Sequence, residues 1–308
     1  MTHSEKHQLL SHDHSQGHTL KGKSLLLAFL LNLVITIVEI IGGLLSNSLA
    51  LLSDAIHNLG DTFAVMLAYI ANLISRRVAN ERKTFGYKRI EILAALLNAF
   101  ILIVITLFLF VEAYKRFQSP EPIKGILMFW VAVVGLIANL LAVVLLKSDS
   151  THNLNIRAAY LHLLGDTISS VAVIVGSVLI YYFKIYWIDP VVTVLIGLYI
   201  LKEAFVVLRE TVDILMQGTP SSIDLKKVVE EIEKHNEISN VHHVHAWKLD
   251  DKQIHFECHA DLTKDLPLSK TDEIRSEIEA ILLNKFNISH VTLQFEYNCC
   301  NEKSVIHH

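Results

Sequence analysis

The sequence is poor in cysteine and poor in charge. Its three cysteines, Cys258, Cys299 and Cys300, are too few and too late in the chain for a disulfide framework. Only 19% of the residues are charged and the formal net charge is −4, so no basic excess points to nucleic acid as a partner. A secretory signal is not expected, because the first 23 residues are polar and His-rich and no short apolar stretch ends in a small-residue cleavage pattern. No His-Glu-x-x-His lies in any apolar run, which removes the signature of an intramembrane zinc protease. No P-loop pattern supports ATP-driven pumping. Neither an enzyme nor an organic cofactor is expected.

What the chain has in excess is apolar length. Hydrophobic residues make up 52% of it and the mean hydropathy is +0.42, too apolar for an ordinary soluble protein. Six runs fall at about 24–45, 49–73, 88–116, 124–147, 156–182 and 188–208. A helix needs roughly 20 such residues to cross ~30 Å of hydrocarbon. Polar turns such as Ser46-Asn47-Ser48 and Ser119-Pro120-Glu121-Pro122 separate the runs. Arg76, Arg77, Arg82, Lys83, Lys88 and Arg89 fill the loop between the second and third runs, and Lys6, Lys21 and Lys23 lie in the N-terminal tail. Only Lys115, Arg116, Lys124 and Lys184 fall on the opposite side. The excess sets both termini in the cytoplasm.

Past Gly218-Thr219-Pro220 the character changes to short-period and charged. A helix opens after Asp224, strands run over Val241–Leu249 and Gln253–Leu262, a second helix follows Pro267, and His290–Tyr297 closes as a strand. The expected fold is therefore an all-α membrane domain of six transmembrane helices plus a C-terminal cytoplasmic α+β ferredoxin-like domain of order αββαβ. Its expected parts are a His-rich tail (1–23), the membrane domain (24–216), the cytoplasmic domain (217–298) and a C-terminal tail (299–308).

Two membrane runs share a pattern. The second holds His57-Asn58-Leu59-Gly60-Asp61 and the fifth His162-Leu163-Leu164-Gly165-Asp166. Residues four apart share one face of a helix, so each imidazole points with its carboxylate. An ionised Asp in mid-bilayer costs several kcal/mol unless paired or hydrated, and one pair alone is as well explained by a structural hydrogen bond. Two matched pairs point to a shared partner. His57, Asp61, His162 and Asp166 together offer the four N/O ligands of a tetrahedral Zn²⁺ site, with two carboxylates to balance the dication. The echo around both pairs is that of an inverted repeat about a midplane site. Gly60 and Gly165 offer close helix approach. Asp54 and Glu39 have two readings: groups on a water-filled path or carriers of protons, or, for Asp54, a solvated residue near the outer interface. Such ligands bind metal only when deprotonated, so metal arrival releases protons. That coupling suits Zn²⁺/H⁺ antiport by alternating access.

These residues carry a resemblance. Ser48-Leu-Ala-Leu-Leu-Ser-Asp-Ala-Ile-His57, Thr84-Phe-Gly-Tyr-Lys-Arg-Ile-Glu-Ile-Leu-Ala-Ala-Leu-Leu-Asn98, the paired His-x-x-x-Asp motifs and Val241-His-His-Val-His-Ala-Trp247 resemble the cation diffusion facilitator family in its zinc-transporter branch, over about residues 24–297. The resemblance implies a homodimer that exchanges Zn²⁺ for H⁺, with transport ligands on His57, Asp61, His162 and Asp166. The histidine at the first ligand position is like that of zinc-selective members. It also implies a cytoplasmic metal site, structural or regulatory, on His242, His259 and Glu296, with Asp272 and Gln294 filling other ligand positions of the family. A further family site in the loop Ser75–Lys83 is not expected, since that loop has no histidine. Cys299 and Cys300 are either additional soft ligands or part of a reduced tail. His243, His245 and His255 are expected to alternate on strand faces. The N-terminal His3, His7, His12, His14 and His18 read as a metal-collecting tail or as a polar leader.

The favoured function is a secondary transporter exporting Zn²⁺ from the cytoplasm in exchange for H⁺. Zn²⁺, H⁺, the bilayer and a second copy of the chain are the expected partners. The alternative is a membrane metal sensor, which needs no ligands in mid-membrane. A channel needs weak serial sites rather than four convergent ligands. The short loop between the fourth and fifth runs favours a bacterial plasma membrane.

Overall fold

A computed structural model describes residues 18–147, 154–250, 253–298 and 304–305. Its elements are α1 (His18–Ser46), α2 (Leu49–Ser75), α3 (Ile90–Gln118), α4 (Gly125–Lys147), α5 (Leu154–Phe183), α6 (Ile188–Leu215), α7 (Leu225–Ile232), β1 (Ile238–Lys248), β2 (Ile254–Leu262), α8 (Leu268–Phe286) and β3 (His290–Glu296). Four helices are long and apolar enough to cross a membrane among the described residues: α3, α4 over Gly125–Val144, α5 over Leu163–Phe183, and α6. In α1 the described apolar stretch, Leu30–Ser46, is shorter. The stretch of α2 that carries Asp54, His57, Asn58 and Asp61 lowers its hydropathy. The sixth helix, α6, runs to Leu215, seven residues beyond the apolar run near 188–208, because a more polar segment extends it.

Contacts divide the chain into two compact units, one formed by residues up to Phe63 with Leu102–Lys202, the other by Ala64–Ile101 with Glu203 onward. In the first unit, α4 packs against α1 and α5. Its core is small and aliphatic, around Ala50, Leu51, Met128, Ala132, Val173 and Ile196. Polar residues lie inside and apolar ones outside: Glu39, Asp54, His57, Asn58, Asn139 and Asp166 are buried, while Phe108, Trp130, Ile168 and Phe183 are exposed. That inversion suits a lipid surround, where no hydrophobic gain comes from burying Leu or Phe.

The start of α2 is fixed from a distance. α1 ends with Asn47 at φ 60° and Ser48 N–H donating to Gly43 O at 3.0 Å, a left-handed cap that closes the last turn. Asp189, in the first turn of α6, then accepts from Leu49 N (2.8 Å), Ala50 N (3.2 Å) and Ser48 Oγ (2.6 Å). A buried carboxylate thus satisfies amides that the first turn of a helix leaves unpaired. Arg116 of α3 holds the same turn by donating to Asn47 O and Oδ1 at 2.6 and 2.9 Å. Close helix approach occurs at both motif glycines: a Cβ on Gly60 would meet Leu102, and one on Gly165 would meet the Tyr199 hydroxyl.

In the second unit the C-terminal region has the expected αββαβ order. β1 pairs antiparallel with β2 and β2 parallel with β3. Asp224 caps α7 by accepting from Lys226 N and Lys227 N. α7 and α8 bury Val228, Val229, Ile232, Ile274, Ile278 and Leu282 in a common core with the strand residues Val241, Phe256 and Ala260. β1 begins at Ile238 rather than at Val241, since a register shift between Ile238 and Asn240 carries pairing past an irregular step.

Candidate metal centres

α2 presents His57 and Asp61 on one face, and α5 brings Asp166 to them. His57 Nε2 lies 3.2 Å from Asp166 Oδ1 and 3.8 Å from Asp61 Oδ2. Tetrahedral zinc with bonds of 2.0–2.2 Å needs ligand atoms roughly 3.3 Å apart, so the three groups lie at the spacing of one ion. His57 and Asp166 are buried, whereas the Asp61 side chain is 27% exposed and gives the cluster an open side. Tyr199 of α6 meets the His57 ring edge-on at 5.9 Å. His162 lies in α5, but its side chain falls outside the described residues.

Polar side chains back these ligands. Asn58, next to His57, donates to Glu39 Oε2 of α1 at 2.8 Å. Ser169 donates to Asp54 Oδ1, and Ser170 lies 3.4 Å from Asp54 Oδ2. Both hydroxyls also approach the Asp166 carbonyl, at 2.9 and 3.0 Å. Asn139 of α4 donates to Ser170 at 3.4 Å. Asp54 is 1% exposed, so it is not a solvated interface residue; hydroxyl donors from α5 make its burial tolerable. Ser169, Ser170 and Tyr199 went unnoticed in the sequence. The serines carried a signal, since i+3 and i+4 from Asp166 is the same face of α5.

A second cluster sits on the sheet. His242 and His259 are cross-strand partners, and Glu296 ends β3 opposite Asp261. His259 Nδ1 is 2.8 Å from Glu296 Oε1, and His242 Nε2 is 3.5 Å from Glu296 Oε2. Neither ring nitrogen of buried His242 makes a hydrogen bond, an arrangement that fits a ligand awaiting a cation. Gln294 donates to Glu296 Oε1 at 2.8 Å and so orients the carboxylate. Asp272 instead pairs with Arg275 along α8, at 3.4 Å.

A family model described as the cation efflux transmembrane domain matches residues 25–216, and one described as the cation efflux protein cytoplasmic domain matches 220–298. The chain belongs to the cation efflux family. It is 38% identical over 299 residues to a cadmium, cobalt and zinc/H⁺-K⁺ antiporter of Bacillus subtilis, covering 96% of this chain and 95% of that protein. It is 38% identical to the zinc transporter ZitB of Escherichia coli, covering 94% and 93%, and 37% identical to the metal cation efflux protein CzcD of Cupriavidus metallidurans, covering 97% and 93%. This cation efflux protein is a multi-pass membrane transporter, not an enzyme, and its C-terminal domain is cytoplasmic.

The remaining histidines of the cation efflux protein depart from simple alternation. His243 adopts φ 52° at a bulge between His242 and His245. The bulge turns the His243 ring to within 4.7 Å of the His259 ring, beside the cluster. His255 lies at the other end of the sheet, stacked on Trp247 at 5.4 Å and 4.6 Å from the His290 ring. Cys299 and Cys300 lie outside the described residues, as do the side chains of His3, His7, His12, His14 and His18. Cys258 is buried in the core, where burial and then Glu257 push its thiol up to about 12, so it is no metal-ready thiolate.

Proposed function

We propose that this protein exports Zn²⁺ from the cytoplasm in exchange for H⁺, with His57, Asp61, His162 and Asp166 as the transport ligands. The observation that carries this is the placement of His57 Nε2 within 3.2 Å of Asp166 and 3.8 Å of Asp61 in the buried interior of the bundle. Two carboxylates and neutral imidazoles make the loaded site formally neutral, which lowers the cost of carrying a dication through hydrocarbon. Zinc binding displaces protons from the same nitrogens and oxygens, and reprotonation from the far side releases the metal. The open side at Asp61 is where the ion exchanges with water. Relatives named as zinc transporters and as a cadmium, cobalt and zinc antiporter support the cargo class, and the likeness of the first-position histidine to that of zinc-selective family members favours zinc within it.

The chain is divided in this proposal into the tail 1–23, the transport domain 24–216, the cytoplasmic domain 217–298 and the tail 299–308. The cytoplasmic domain joins two copies and holds a structural or regulatory Zn²⁺ on His242, His259 and Glu296, with Cys299 and Cys300 as auxiliary donors. Both termini face the cytoplasm, and the membrane is a bacterial plasma membrane; the relatives named above come from bacteria.

Proteoliposomes test the proposal. A pH-sensitive dye is enclosed, Zn²⁺ is added outside, and wild type is compared with Asp166→Ala. Zinc uptake and a coupled proton signal are expected in wild type and neither in the variant. Equal flux in both removes the assigned site; proton movement without zinc removes the antiport.

A further inference from the structure

The second unit contains a cavity of about 440 Å³ that neither metal centre uses. The loop between α2 and α3 supplies its charge through Arg82, Lys83, Lys88 and Arg89, and Trp247 of β1 forms part of its wall. The volume lies in the range of small-ligand sites. The loop is shaped to converge. Asn80 Oδ1 accepts from Arg82 N and Lys83 N at 3.0 Å, and Gly86 turns the chain at φ 70° with its N–H on Lys83 O at 2.9 Å. Lys83 Nζ sits 4.2 Å over the Tyr87 ring, and Lys88 donates to Gln253. Among the described residues none of the four cations forms an ion pair.

The bias of Lys and Arg toward the cytoplasmic side accounts for their presence in this loop. It does not account for four uncompensated charges around one concavity. Four cationic residues lining one cavity make it attractive to an anion. The cavity also has a membrane side. Ile90 and Leu93, in the first turn of the α3 span, line it. From there Leu93, Leu97 and Phe100 are exposed at 46%, 50% and 58%. Their spacing of four and three makes one apolar stripe along the helix.

We propose that the cavity bounded by Arg82, Lys83, Lys88 and Arg89 binds the phosphodiester headgroup of an anionic phospholipid, whose acyl chains lie along the Leu93–Leu97–Phe100 stripe. Arg82 and Arg89 offer planar donors for phosphate oxygens, and the lysines supply point charge. Trp247 lines the same cavity and so reports on its occupancy. A soluble phosphate uses the cations and ignores the stripe; the lipid uses both.

The test uses the full chain in detergent with Trp130→Phe and Trp187→Phe, leaving Trp247 as the reporter. Short-chain phosphatidylglycerol, phosphatidylcholine and inorganic phosphate are titrated separately, and bound lipid is counted in parallel by native mass spectrometry. Phosphatidylglycerol is expected to shift Trp247 emission saturably, more tightly than phosphatidylcholine, with affinity falling as salt rises. Adding Arg82→Gln with Arg89→Gln is expected to weaken phosphatidylglycerol binding roughly tenfold or more. The pair Lys115→Gln with Lys124→Gln, at the other membrane face, is expected to leave it unchanged. Equal binding of both lipids overturns the proposal, as does a salt-independent affinity, which needs no variant to measure. Inorganic phosphate matching the lipid at equal concentration overturns the lipid assignment in favour of a soluble anion.

Discussion

At the scale of single residues, the proposed ligands of the bundle are backed by groups outside the candidate cluster. Ser169 donates to the buried Asp54 carboxyl group and leans on the Asp166 backbone, so it links a buried acidic group to a proposed ligand. Removing it leaves Asp54 short of a donor, at a cost of roughly 1–3 kcal/mol. Ser169→Ala is therefore expected to lower the thermal midpoint of the detergent-solubilised protein more than Ser170→Ala, whose bond to Asp54 is long at 3.4 Å. Equal shifts count against Ser169 as the principal donor. His57, Asp61 and Asp166 were legible in the sequence, because four-residue spacing in an apolar run is a visible anomaly. The serines were not, because a hydroxyl in a membrane helix more often bonds its own backbone, as Thr106 and Thr167 do here. His255 gives a pH dependence. Burial, then His290 and Lys88, hold its imidazole below the usual value near 6.5, against the weaker pull of Asp250. The folded form thus binds this proton less readily than the unfolded chain. The stability from this packing is full above about pH 6.5 and is lost as pH falls through the lowered folded value. Protonation also quenches the stacked Trp247. In the single-tryptophan protein, emission is expected to drop with a midpoint below 6.5, and His255→Gln is expected to abolish that step. A midpoint above 6.5 contradicts the burial argument.

At the scale of elements, apolar runs placed the helices within a few residues, since a membrane helix must satisfy its own backbone along its whole length. Their ends were less legible. Asn47, Lys184, Gln217 and Asn287 all adopt left-handed conformations at helix ends without being glycine. The cap of α2 was invisible, because Asp189 lies about 140 residues away and nothing in its own surroundings names its partner. The bulge at His243 was equally hidden, since histidine does not announce a positive φ. Asp189 governs the helix that carries His57 and Asp61, and His57 lies about two turns beyond the cap. Asp189→Ala strips the acceptor from Leu49, Ala50 and Ser48 and leaves only Ser48 Oγ on Leu51 N at 3.1 Å. A loss of roughly 1–3 kcal/mol is expected, with faster hydrogen exchange in the first turn of α2 and reduced zinc flux. Asp189→Asn keeps one acceptor oxygen and is expected to fall between. Unchanged exchange at Leu49 and Ala50 in the alanine variant excludes the cap as the anchor of α2.

At the scale of the whole molecule, the two candidate metal centres are built separately. His57, Asp61 and Asp166 all belong to the first compact unit, and His242, His259 and Glu296 all belong to the second. Each cluster is closed by short contacts inside its own unit, so neither needs the other to form its ligand set. Their chemistries also differ. In the bundle cluster the Asp61 side chain is partly exposed, which fits the proposed exchanging cargo, while His242 and Glu296 are buried, which fits the proposed resident ion. Residues without shared partners contribute nearly additively. The proposed roles therefore separate on mutation. His242→Ala with His259→Ala is expected to remove one class of zinc site in calorimetric titration and to leave the flux through the bundle measurable. It is also expected to remove the zinc-dependent rise in the unfolding midpoint, a stabilisation worth roughly 2.7 kcal/mol when free metal is a hundredfold above the dissociation constant. Asp166→Ala is expected to do the reverse, keeping that stabilisation and losing transport. If the sheet variant instead stops transport while the protein stays folded, the cytoplasmic ion is a gate on the bundle rather than a brace of its own domain. If both variants lose the same class of site, the assignment of two centres is wrong.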